Sequence, residues 1–284
     1  MRYESPKTTK EAVSLLAGEK GSAHILAGGT DLMVSLRMDM IEPDLMVDIK
    51  RISAMREIKK TANGFTIGAA VSGAEMAENK ALVKTWPGVV EATNLIGSDQ
   101  IQSRCTMVGN LCNASPAADS VPAMVAAGAK AVVVGQKPRT IPVEQVATGP
   151  GSTSLARDEL IESIQLPEGD ANTGDAYLRF IPRTEMDIAV VGVGICLTLS
   201  GGVIKLAKVA LGAVAPTIVV VPEAANAIIG TKLDNAALEK LATACSAACN
   251  PIDDKRGTVE YRTHVAGVLA KRAAKIAYNR AGGK

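Results

Sequence analysis

The chain has 284 residues, room for one large domain or two to three modest ones, with 47% hydrophobic and 21% charged residues, which excludes disorder. Its 31 basic and 29 acidic residues leave a net charge of +2, and aromatic residues make up only 2%, so it has neither the basic field nor the stacking platforms of a nucleic-acid-binding protein. The opening MRYESPKTTKEAVSLL lacks the apolar core of a signal peptide, no apolar run reaches spanning length, and the five cysteines are scattered; together these predict a cytoplasmic protein with reduced thiols that does not span a membrane.

The segment from Ser5 to Leu16 reads as a short helix with Thr8 or Thr9 as its cap. Ala23–Ala27 reads as a strand, followed by Gly28-Gly29-Thr30-Asp31, a helical stretch Leu32–Met38 and a second apolar run Leu45–Ile49. Phe65–Val71 alternates as a buried strand would. A helical stretch from Ser72 to about Ile96 follows, broken at Trp86-Pro87-Gly88, where Pro and Gly end a helix. Residues 97–116 are rich in Gly, Asn, Ser and Thr without helical periodicity and read as a functional loop. A helix over Asp119–Gly128 and strands over Ala131–Val134 and Leu160–Leu166 come next. At the polar stretch beginning at Pro167 the pattern changes, and a domain boundary is expected there. Beyond it, Ala176–Ile181, Ala189–Leu199 and Val203–Ala213 read as strands, with Ser200-Gly201-Gly202 as a hairpin turn. Helices are expected at about Glu223–Ile229, Asn235–Ala248 and Thr258–Tyr278. A run of strands followed by a run of helices points to an α+β arrangement, a sheet covered by helices.

Two segments carry candidate chemistry. In Ala27-Gly28-Gly29-Thr30-Asp31, paired glycines between a strand and a helix let backbone amides converge on a bulky anion such as a diphosphate. Thr30 adds a hydroxyl, and Asp31 is placed to cap the helix or touch a ligand. In Thr106-Met107-Val108-Gly109-Asn110-Leu111-Cys112-Asn113-Ala114-Ser115-Pro116, Thr106 and Asn110 offer uncharged hydrogen bonds, Gly109 permits close approach, and Asp119 lies just beyond. Each segment alone also reads as an ordinary structural loop. Neither a P-loop lysine nor G-x-G-x-x-G follows a strand, so two separated glycine loops point to one extended dinucleotide gripped from two sides.

Taken together, AGGTD and TMVGNLCNASPAAD resemble the signatures of the FAD-binding medium subunit of the molybdenum hydroxylase family, which includes xanthine and carbon monoxide dehydrogenases. The resemblance covers essentially the whole chain. It implies a two-subdomain FAD-binding fold over 1–170, of the kind found in vanillyl-alcohol oxidase-like flavoproteins, with subdomains of about 1–55 and 56–170. A C-terminal domain of antiparallel sheet and helices would fill 171–284. Carried over by motif, Ile25, Leu26, Ala27, Gly28, Gly29, Thr30, Asp31 and Leu32 would wrap the FAD diphosphate. Thr106, Met107, Val108, Gly109 and Asn110 would grip it from the other side. Asp119 matches an acidic cofactor residue and Ile96 an apolar contact. Ile161 matches a residue near the flavin, Arg179 a basic position, and Asp187 and Ile188 a segment beside the ring system. Val108 stands where relatives have glycine, and Arg179 where some have lysine, a different shape at the same charge.

The same resemblance implies non-covalent FAD here and partners carrying the rest of the electron path. A large molybdopterin subunit would oxidise the substrate. A small subunit with two [2Fe–2S] clusters would pass electrons to this chain for delivery to NAD, oxygen, a quinone or another acceptor, in a dimer of heterotrimers. A stand-alone FAD-dependent reductase or oxidase and a cofactor-free interaction subunit are the alternative readings. No catalytic acid or base and no metal site is expected in the chain. His24 reads as structural, Cys105 and Cys112 as thiols flanking the second loop, and the basic end of the last helix as a solvated face.

Overall fold

The computed structural model describes residues 1–283. The chain begins with β1 (Arg2–Glu4), α1 (Thr9–Gly18), β2 (Ala23–Leu26), α2 (Leu32–Arg37) and β3 (Leu45–Asp48), whose strands form a parallel sheet in the order β1-β3-β2. Thr8 caps α1, its hydroxyl accepting from the Glu11 N–H at 3.2 Å, so the helix begins four residues later than its apolar pattern does. Ala12 and Leu16 of α1 are buried in one core cluster with Leu45 and Val47 of β3.

The next stretch holds β4 (Ile58–Thr61), β5 (Gly64–Gly68), α3 (Gly73–Glu78), α4 (Lys80–Thr85), α5 (Pro87–Asn94), α6 (Met107–Cys112), α7 (Ser120–Ala126), β6 (Lys130–Val134), β7 (Arg139–Pro142), the small β8 (Ala147–Gly149) and β9 (Ser152–Thr153) hairpin, and β10 (Leu160–Pro167). Strands β4-β5-β10-β6-β7 make an antiparallel five-stranded sheet in that order. The helical stretch expected to break once breaks twice. Besides the turn before Pro87, Asn79 leaves helical geometry and caps α4 by accepting from the Leu82 N–H at 3.0 Å. Ser72 and Glu75 close a reciprocal capping box on α3. β4, β7, β8 and β9 are unannounced in the sequence because they are short and contain no buried residue, so no apolar alternation marks them.

The last stretch comprises β11 (Thr173–Phe180), β12 (Val191–Ser200), β13 (Val203–Gly212), β14 (Val219–Val220), α8 (Pro222–Ile228), α9 (Asn235–Ala247) and α10 (Val259–Arg280). The strands form an antiparallel sheet in chain order. The expected hairpin is present: Ser200 pairs with Val203 across Gly201 and Gly202, whose φ values of 59° and 78° are the geometry of a type I′ turn. Helices α8 to α10 cover one face of this sheet and form a second core cluster with it, while α7 packs against β12 and β13. Buried Arg262 of α10 ties the pieces together. Its guanidinium donates to the Val190 carbonyl at 2.8 Å, to the Gly257 carbonyl at 3.2 Å and to the Asp254 carboxylate at 2.7 Å.

One buried carboxylate on β11 gives a pH signature. Asp175 Oδ2 accepts from the Val89 N–H at 3.0 Å, while Oδ1 has no partner. Burial pushes its carboxyl up to about 6, against the opposing effect of the Gly88 and Val89 amides. Because the folded state holds this proton more tightly than the unfolded chain, the stabilising contribution is complete below about 4 and is lost as pH rises through about 6. Asp175→Asn is expected to remove that loss, gaining about 3 kcal/mol at neutral pH and flattening the dependence of the urea midpoint between pH 4 and 7. An unchanged pH slope in the variant would contradict the assignment.

Candidate functional site

The first glycine loop and the second meet by backbone contact. A Cβ at Gly28 would lie 2.0 Å from the Arg104 carbonyl oxygen, so only glycine lets the two loops touch here. Gly29 turns at φ 80°, a left-handed conformation that lets the chain leave β2 and enter α2. The glycines therefore serve loop-to-loop approach and a turn, more directly than the ligand clearance expected from the pattern alone.

Between the loops lies a cavity of about 540 Å³. Its walls include Ile25 and residues 27–32 on one side, and Thr106, Val108, Gly109 and Asn110 on the other. Ile96 and Ile161, distant in sequence, complete them with buried aliphatic side chains. Leu26 and Met107 are outside the wall: Leu26 is half-buried beneath Gly29, and Met107 is buried in the core.

The chemistry of this cavity is set by its amides. Among the described residues, the N–H groups of Gly28, Gly29, Thr30, Asp31 and Leu32 find no acceptor within the chain, nor do those of Met107 and Val108 at the start of α6. Such a run of unpaired donors has the chemistry of an anion-binding concavity. Thr106 and Asn110 are fixed in place by the protein itself. The Thr106 hydroxyl accepts from the Gly109 N–H at 2.9 Å and caps α6, while Asn110 Oδ1 accepts from the Ser120 hydroxyl at 2.7 Å. Both polar groups keep a donor free, the Thr106 O–H and the Asn110 amide nitrogen. Two sequence expectations change. Residues 97–116 contain the helix α6, hidden because its cap is a Thr in a Gly/Asn-rich stretch. Asp31 makes no capping hydrogen bond; it is exposed at the loop, and α2 behind it is only six residues long, too short for a strong dipole.

Besides Leu26 and Met107, four predicted residues lie outside the cavity wall. Asp119 precedes α7 and is buried against β11, where Tyr177 donates to it at 2.8 Å and Arg179 at 2.5 Å. Burial outweighs Arg179 and Tyr177 and pushes the Asp119 carboxyl up to about 6. It adjoins the cavity through the Ser120–Asn110 contact. Asp187 is held between Arg183 and Arg256, each at 3.3 Å. Burial opposes its ionisation, yet the Ile188 N–H and the two guanidinium groups hold its carboxyl down at about 2. Ile188 is 51% exposed.

The cavity also has a wall that sequence reasoning missed. Gly151, Thr153, Leu155, Ala156, Arg157 and Glu159, between β8 and β10, line it. No motif announces them, since what they contribute is backbone, small side chains and one exposed arginine. His24, read as structural, borders the cavity, as do Cys105 and Cys112. Burial pushes the Cys112 thiol up to about 12 and that of Cys105 to about 11, so both are neutral thiols at physiological pH.

A dinucleotide fits these residues. Free amides converge where a diphosphate would lie, and aliphatic side chains of Ile96, Val108, Leu155 and Ile161 offer apolar surface for rings. Residues 1–169 match the family described as the FAD binding domain in molybdopterin dehydrogenase, and residues 176–277 match the CO dehydrogenase flavoprotein C-terminal domain. The carbon monoxide dehydrogenase medium chain of Hydrogenophaga pseudoflava is 30% identical over 279 residues, covering 98% of this chain and 97% of that one. The xanthine dehydrogenase FAD-binding subunit of Escherichia coli O157:H7 is 28% identical over 285 residues, covering 99% and 97%. Among solved structures, a carbon monoxide dehydrogenase from Hydrogenophaga pseudoflava lacking the Mo-pyranopterin moiety of its molybdenum cofactor superposes with a TM-score of 0.94 at 31% identity, covering 99% of this chain and 98% of that one. With its free-amide cavity between two touching loops and these relatives along its whole length, the chain belongs to the family of FAD-binding medium subunits of molybdenum-containing dehydrogenases.

Proposed function

We propose that the chain is the FAD-binding electron-transfer subunit of a heterotrimeric molybdenum-containing hydroxylase or dehydrogenase. The observation that carries this reading is the run of unpaired amides at 28–32, which lines one cavity together with Val108, whose N–H is also without an acceptor. FAD, when bound there, supplies the capacity to accept electrons and pass them on. The chain's own residues bind and orient it. Amides of the first loop and of the start of α6 hold the diphosphate, and the Thr106 hydroxyl and the Asn110 amide add donors to it. Ile96, Val108 and Ile161 exclude water around the rings.

In this reading residues 1–170 form the FAD-binding part, with subdomains of about 1–55 and 56–170, and residues 171–284 the C-terminal domain. Arg179, Asp119, Asp187 and Ile188 would act on the cofactor from beyond the cavity wall, Asp119 through the neighbouring Ser120–Asn110 contact. A small subunit with two [2Fe–2S] clusters delivers electrons, and a large molybdopterin subunit oxidises the substrate. The acceptor is NAD, oxygen, a quinone or another carrier, and the assembly is a cytoplasmic dimer of heterotrimers. Among the described residues no helix is long and apolar enough to cross a membrane. Purifying the tagged chain from its native host tests the assignment. FAD, iron, molybdenum and two further polypeptides in fixed ratio are expected. A lone yellow protein that turns over a small substrate would favour a stand-alone flavoenzyme instead.

A further inference from the structure

We infer that the segment between β8 and β10 is a strap closing the cofactor cavity, and that Arg157 is the latch that determines how long the dinucleotide stays bound. The inference rests on the FAD-binding reading above and adds residues to it that neither glycine motif contains.

The strap is rigid at its base. Ser154 donates from its N–H to the Val146 carbonyl at 2.8 Å and from its hydroxyl to the Gln145 carbonyl at 2.8 Å. Arg139 grips it with two bonds to Glu159, at 2.9 Å and 2.8 Å, and one to the Ser154 carbonyl at 2.9 Å. Glu159 in turn accepts from the Ala156 N–H at 2.8 Å. From this braced base the strap presents Thr153, Leu155 and Ala156 to the cavity. Its far edge is tied differently. Among the described residues, the only hydrogen bond from residues 150–160 to residues 1–55 is donated by the Arg157 guanidinium to the Gly21 carbonyl. Gly21 lies just before β2, whose Ala23 and His24 border the cavity from the opposite side. Arg157 thus ties the cavity-lining segment 151–159 to the residue stretch that leads into β2. In the latch reading, a bound dinucleotide is held under the strap while this bond persists, and both leaves and enters faster when it is absent. Arg157 is exposed, so replacing it leaves the core and the Arg139–Glu159 brace intact.

The test uses the assembled complex and follows FAD itself. Release is read from the rise of free-flavin fluorescence on dilution, and rebinding from its quenching when FAD is added to stripped complex. Arg157→Ala is expected to speed release about tenfold, the scale of one charge-assisted hydrogen bond, and to speed rebinding as well. Arg157→Lys, which can still donate to the Gly21 carbonyl, is expected to restore most of the wild-type rates, and exposed Lys205→Ala to change neither. Release rates equal to wild type in Arg157→Ala would overturn the latch. Faster release with slower rebinding would overturn it too, since that pattern marks a guanidinium bound to the phosphates. A wild-type complex holding no FAD would overturn the parent reading, an outcome separate from either.

Discussion

Gly28→Ala is expected to give a chain that loses FAD at least about tenfold more readily and unfolds at lower denaturant by about 3 kcal/mol or more. The added Cβ would sit 2.0 Å from the Arg104 carbonyl oxygen and 3.1 Å from Cys105 Cα, both backbone atoms with no flexible side chain to yield. The two loops must separate, which opens the cavity that residues 27–32 and Val108 line together. Gly29→Ala supplies the comparison. Its cost comes from a φ of 80° and from contact with the Leu26 and Met33 side chains, which can shift. The smaller effect, about 1–2 kcal/mol, is therefore expected there. FAD content of the purified complex and urea unfolding of the same samples check both. Full FAD occupancy in Gly28→Ala would show that loop contact is not what forms the site.

The second large effect is at Asp119 and Arg179, whose side chains are 10% and 7% exposed and 2.5 Å apart. Arg179→Met removes the cation and leaves a carboxylate buried, which is expected to cost about 3–5 kcal/mol at pH 7. The remaining Asp119 would then stay protonated to higher pH, so the loss should shrink markedly in acid. Combining Asp119→Asn with Arg179→Met removes the stranded charge, and part of the stability should return. A double variant as unstable as the sum of the singles would mean the two side chains act independently. Asp119 and Asp175 are both raised to about 6 by burial, so both lower stability as pH climbs from about 4 to about 6. Asp175→Asn should therefore leave the Asp119 part of the slope in place.

Much of this was legible before any coordinates. The alternation of β10, β12 and β13 and the paired glycines between the last two gave strands and hairpin within a few residues. The last helix was expected from Thr258 and starts at Val259, while the first, expected from Ser5, starts only after the Thr8 cap. The two glycine loops pointed to segments that line one cavity, because residues that permit an unusual backbone shape are visible in a sequence. What was not legible is also physical. α6 was hidden because its six residues carry no apolar period and its cap is indistinguishable from loop composition. The strap at 151–159 was hidden because its Gly, Thr, Leu, Ala, Arg and Glu form no recognisable pattern until folding brings them to the cavity. Gly28 was found for a reason the fold revises: its missing Cβ admits the Arg104 carbonyl. The ion pair of Asp119 with Arg179, 60 residues apart, follows from the packing of α7 on β11, which no local pattern contains.

If backbone amides of the two loops hold the cofactor as proposed, their hydrogen exchange must respond to it. The complex would be compared with FAD bound and after stripping, following peptides over residues 25–32 and 106–112. Strong protection of both peptides on FAD binding, with little change over α9, is the predicted result. FAD bound in full with exchange in the two loops unchanged would contradict the account.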